Sequence, residues 1–138
     1  MLDQIQAAVE EFAENHCEVL GVFLFGSYAK GRQRAASDID LAVYIDPGIP
    51  LSEFPLERTL RYTVELEGIL KKRVDLILLT QAPPMLRHQV FRNGRIVFER
   101  DRARVRRFMG DALVEFYDEI VLLETVQKTV IRRHLLGQ

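Results

Sequence analysis

Apolar residues at the start of the chain recur at helical spacing. Leu2, Ile5, Val9 and Phe12 are separated by charged and polar positions, which predicts an amphipathic helix over Leu2 to Asn15. The pattern then changes. Val19 to Phe25 is a dense run of β-branched and aromatic residues that stops at Gly26, the signature of a buried strand. Ser27 to Arg34 is small, polar and basic and reads as a turn into a short helix. Asp38 to Ile45 begins by alternating and becomes apolar, predicting a second strand, and Asp46-Pro-Gly-Ile-Pro closes it with a loop. Leu56 to Leu70 carries Leu60, Val64 and Leu66 to Leu70 on a broad helical stripe, and Arg73 to Leu79 is a third apolar strand. Gln81-Ala-Pro-Pro breaks the chain, and Pro84 is suited to begin a short helix over Met85 to Phe91. Asn93-Gly94 signals a turn into a short edge strand, Arg95 to Phe98. From Asp101 to about Leu135 one long helix is predicted. Its stripe comprises Val105, Phe108, Met109, Ala112, Leu113, Phe116, Ile120, Leu123, Val126, Val130 and Ile131. Strands alternating with helices place the chain in the α+β class, with α/β-type alternation around a small sheet.

Length and composition narrow this picture. The 138 residues suit a single domain, with a core over about residues 1–100 and the long helix over about 101–135, and 48% apolar residues can build it. A formal charge of −1, from 19 basic and 20 acidic residues, argues against a non-specific nucleic-acid binder. The lone Cys17 excludes an internal disulfide and a cysteine-based zinc site, and reads as a small apolar residue near a helix end. His16, His88 and His134 stand apart at no metal-binding spacing. Neither a leader nor an eighteen-residue apolar run is visible, so a cytoplasmic setting without membrane contact is expected.

The candidate chemistry lies between the first two strands. Gly26-Ser27 ends one, Asp38-Ile39-Asp40 opens the next, and ten residues separate the serine from the first aspartate. Alternation along a strand puts Asp38 and Asp40 on one face roughly 7 Å apart. Two such carboxylates repel each other unless a cation lies between them. Magnesium, which takes one or two carboxylates together with water and substrate phosphates, suits the pair. Gly26 permits a sharp turn and close approach of a ligand; Ser27 adds a hydroxyl and an N–H; Lys30, Arg32 and Arg34 can neutralise a polyphosphate. Asp75, inside the apolar Val74-Asp-Leu-Ile-Leu-Leu, is suited to be a third carboxylate, because a buried aspartate there requires a partner.

Each piece has a plainer reading. Gly-Ser occurs in any turn, Asp-x-Asp in solvated edges or caps; Asp75 can pair with Arg73 or Lys72, and the three basic residues can form a solvated loop. Gly21-x4-Gly26-Ser27 imitates a phosphate loop but lacks its lysine, and its interior must be strand. The joint pattern of two strands, fixed spacing and a third aspartate is stronger than its parts.

The run from Gly26-Ser27 through Ser37-Asp38-Ile-Asp40-Leu-Ala-Val resembles the signature of the polymerase-beta-type nucleotidyltransferase superfamily. Within it, the chain is similar to the minimal nucleotidyltransferases, the MNT antitoxins of HEPN/MNT toxin–antitoxin systems. The resemblance implies a minimal polymerase-beta-like fold, with a small mixed sheet flanked by helices. It implies transfer of AMP from ATP to a tyrosine hydroxyl of a partner HEPN ribonuclease toxin. By the same resemblance Asp38 and Asp40 bind Mg²⁺, Asp75 is a ligand or base, and Gly26, Ser27, Lys30, Arg32, Arg34 and Ser37 form the nucleotide site. Two other functions are open: neutralisation by occlusion alone, with the long helix as the contact, and transfer to a small molecule of aminoglycoside type.

Overall fold

The computed structural model describes residues 1–135. In chain order the elements are α1 (Leu2–Glu14), β1 (Val19–Phe25), α2 (Gly26–Ala29), β2 (Ile39–Ile45), α3 (Leu56–Leu70), β3 (Val74–Leu78), α4 (Pro84–Asn93), β4 (Arg95–Glu99) and α5 (Arg102–Leu135), with one 3₁₀ turn at Leu51–Glu53. The strands form one mixed sheet in the order β3-β2-β1-β4. β1 is antiparallel to both β2 and β4, whereas β2 and β3, joined through α3, run parallel.

Strand alternation sorts the apolar residues into two cores. On one face Val22, Leu24, Ile39, Leu41, Val43, Val74 and Leu76 meet Ile5, Val9 and Phe12 of α1 and Tyr62 and Leu66 of α3. On the other, Phe23, Ala42 and Tyr44 meet Val90 of α4 and Val105 of α5. A bulge in β1 between Val19 and Gly21 keeps Val19, Val22 and Leu24 on the same face despite their spacing. Gly21, part of the apparent phosphate loop, has a packing role: a Cβ there would stand 3.1 Å from Val105 Cγ2, so its bareness lets α5 lie on the sheet. Tyr44 stacks on Phe108 with centroids 4.1 Å apart, and Phe91 meets Phe108 edge-on.

Several expectations shift in detail. The segment expected to turn into a short helix instead begins with one, four residues long from Gly26 to Ala29, and continues as a loop. In α3, Leu60 and Val64 face solvent, and the buried positions are Tyr62 and Leu66. Tyr62 sets that rotation: it packs edge-on against Phe12, and its hydroxyl donates to Glu18 Oε1 at 2.5 Å. Cys17 is exposed in the turn between α1 and β1, not packed at a helix end. His16 is half-buried, bonded to Glu65 Oε2 at 2.6 Å and packed on Phe12 and Tyr62. The long helix α5 covers the sheet only with its first part; every residue from Val121 to Leu135 is exposed. Among the described residues no helix is long and apolar enough to cross a membrane.

Candidate active site

The sheet brings the two ends of the sequence motif together. In its register Phe25 is opposite Asp40, and Asp40 is opposite Asp75, so one rung across β1, β2 and β3 carries Phe25, Asp40 and Asp75. Residues opposite on neighbouring strands lie about 5 Å apart, so the two carboxylates are adjacent by construction. Both belong to the face shared with α4 and α5, at the end of the sheet where α2 leaves β1. Asp38 is exposed immediately before β2, and Asp40 is half-buried.

Asp75 departs from expectation in its environment. It is exposed, whereas its neighbours Val74 and Leu76 are buried on the opposite face. It needs no buried partner, and among the described residues it forms no ion pair with Arg73 or Lys72. What fixes it is the start of its strand. The Val74 N–H donates to Glu67 Oε2 at 3.0 Å, and the Ile39 N–H donates to the Arg73 carbonyl at 2.9 Å. The chain enters this strand through Lys71, whose left-handed φ of 57° ends α3. Glu67 is therefore a positioning residue that sequence reasoning missed; only its place one turn before the end of α3 hints at it.

Gly26 is required twice over. Its φ of 72° belongs to the left-handed region, and a Cβ there would overlap Oδ2 of Asp40. The turn therefore presses bare backbone against the central carboxylate. Gly94, read from sequence only as a turn, serves the same end: a Cβ would overlap the Val90 carbonyl and lie 2.9 Å from that of Leu24, so α4 can close on the end of β1 only without one.

Electrostatics mark the same spot. Burial raises the pKa of Asp40 above the ordinary aspartate value, and the charges of Asp75 and Asp38 raise it further. Among the described residues no cationic side chain offsets this at Asp40. Among the described residues no three histidine, cysteine or acidic groups close on a single point as a ready-made metal cage. A hard cation fits this donor set if water and polyphosphate oxygens complete its shell, the usual arrangement for magnesium.

The remaining predicted residues divide. Ser27 is half-buried at the start of α2, and its carbonyl accepts from Arg32 N–H at 2.9 Å. Ser37 shapes the turn before Asp38: its hydroxyl accepts from the Arg34 N–H at 2.8 Å, and its own N–H donates to the Arg34 carbonyl at 3.0 Å. Lys30, Arg32 and Arg34 are exposed on the intervening loop and form no ion pair among the described residues.

Comparison with known proteins identifies the class. The polymerase beta nucleotidyltransferase family matches residues 7–103, and the chain belongs to that family. A relative named as a protein adenylyltransferase, MJ0435 of Methanocaldococcus jannaschii, is 34% identical over 67 residues, covering 49% of this chain and 67% of its own. An MNT antitoxin solved with its tri-AMPylated HEPN toxin from Shewanella oneidensis superposes with a TM-score of 0.72 at 19% identity, covering 95% of this chain and 99% of that one. A toxin–antitoxin structure with AMP-PNP gives a TM-score of 0.69 at 21% identity, covering 94% and 98%. These two likenesses show the fold, and it is the expected minimal nucleotidyltransferase architecture.

Proposed function

We propose that the protein is an antitoxin that transfers AMP from ATP to a tyrosine hydroxyl of a partner HEPN toxin. The observation that carries this reading is the rung holding Asp40 beside Asp75, with Asp38 next to it and Gly26 pressed against its centre. It is supported by the family and by relatives named for protein adenylylation or seen with an AMPylated toxin.

In this reading Asp38 and Asp40, with Asp75 as ligand or base, hold Mg²⁺. A bound Mg²⁺ would neutralise the triphosphate and orient its α-phosphorus. Gly26 and Ser27 offer backbone and hydroxyl to the phosphates, and Lys30, Arg32 and Arg34 neutralise the outer charge. The tyrosine oxygen forms a bond to the α-phosphorus as the bond from that phosphorus to the bridging oxygen breaks. Pyrophosphate leaves, and the tyrosine proton passes to Asp75. Little covalent help is needed; alignment and charge compensation supply most of the acceleration.

The test is incubation of protein, Mg²⁺ and toxin with [α-³²P]ATP. Label should reach the toxin and disappear in the D38N/D40N variant. Unchanged labelling by that variant sinks the proposal. Full neutralisation by the same variant at stoichiometric dose would instead establish occlusion without catalysis.

A further inference from the structure

α5 holds one apolar stripe along its whole length, but the domain uses only half. Val105, Met109, Ala112 and Phe116 recur on the side that covers the sheet and α4, where Phe116 stacks on His88 with centroids 3.9 Å apart. The same side continues as Ile120, Leu123, Gln127, Val130 and His134. Beyond Ile120 nothing covers it: Leu123 is 52% and Val130 59% exposed. A helix extending so far alone is marginal in water, and an apolar flank makes it more so.

The charges along this overhang favour one occupant. Phe116, Ile120, Leu123, Gln127, Val130 and His134 are spaced 4-3-4-3-4, the spacing of a seam between paired helices in either orientation. An antiparallel second copy centred beside Thr125 sets Ile120 against Val130 and Leu123 against Gln127, leaving Phe116 on His88. Charge agrees with this orientation. Acidic residues occupy the first half of the overhang (Asp118, Glu119, Glu124) and basic ones the second (Lys128, Arg132, Arg133). Antiparallel pairing brings Glu119 beside Arg133 of the second copy on one flank; on the other, the two Glu124 side chains meet at the axis with Lys128 of each copy next to them. Parallel pairing would bring Glu119 against Glu124, like against like. Among the described residues none of these four flanking side chains is in an ion pair within the chain.

We infer that the protein self-associates through α5, residues 119–133, as an antiparallel two-fold dimer with its catalytic bodies at opposite ends of a seam about 20 Å long.

The experiment is sedimentation or light scattering of the full chain at micromolar concentration, with two charge-reversal variants, K128E/R133E and E119K/E124K. The wild type should run at the mass of a dimer and each variant alone at that of a monomer. An equimolar mixture of the two variants should recover the dimer, because every flanking pair is again opposite in sign. Circular dichroism checks that each variant is folded, and recovery on mixing guards against misfolding. A monomeric wild type overturns the inference, including one that binds a HEPN toxin through this helix. Retention of the dimer by both variants alone, or their failure to pair when mixed, overturns it too.

Discussion

At the scale of single residues, the site is governed by how closely Gly26 approaches Asp40. A methyl group at position 26 must displace the central carboxylate or unwind the left-handed turn, and a shift of about 1 Å in such a site costs on the order of 100-fold in rate. Gly26→Ala should therefore lower kcat by about that factor while leaving the far-ultraviolet circular dichroism unchanged, which single-turnover labelling and spectroscopy would check. Asp40 itself is held against electrostatic preference. Its folded-state pKa is raised, so the folded protein binds this proton more tightly than the unfolded chain does. The resulting penalty is absent at pH values below the ordinary 3.8 of an aspartate and fully present above the raised folded value. Asp40→Asn, measured without divalent ions, should therefore raise Tm at pH 7, and the gain should vanish near pH 3. A gain that persists in acid would remove electrostatic repulsion as its cause.

At the scale of elements, what was legible follows from what patterning records. The strands could be read because apolar, β-branched runs ending at Gly or Asp have few other meanings, and the ten-residue spacing could be read because both its ends lie on strands. The rotation of α3 was not legible. Leu60 and Val64 fit the stripe as well as Tyr62 does, and the choice was made by a hydrogen bond to Glu18, 44 residues away. The environment of Asp75 was not legible either: an apolar run suggests a buried aspartate in need of a partner, and strand alternation places it on the open face instead. Arg100 also escaped notice, because nothing local shows its role. Its guanidinium donates to the carbonyls of Ala13 at 2.6 Å, His16 at 3.3 Å and Val19 at 2.9 Å, closing the end of α1 and the start of β1 from just beyond β4. Charged donors at a helix C-terminus satisfy carbonyls that the helix leaves unpaired. Arg100→Ala should cost about 1–2 kcal/mol, measured as a lower urea midpoint with an unchanged m-value.

At the scale of the whole molecule, the chain has a packed body and a projecting half-helix. No residue from Val121 to Leu135 is buried, so these residues add nothing to the core. A chain ending at Ile120 should keep its fold, with a Tm within about 3 °C of the full chain at low protein concentration. Self-association through the removed segment would make the Tm of the full chain, and not of the shortened one, climb with concentration; scanning calorimetry across a hundredfold dilution series separates the two. The division also bears on descent. Substitutions beyond Ile120 are invisible to the carboxylate rung and to both cores, so choice of assembly partner can diverge among relatives while the chemistry stays the same. A mismatch between two co-resident systems can then arise, or be repaired, within some fifteen residues that the catalytic body does not sense.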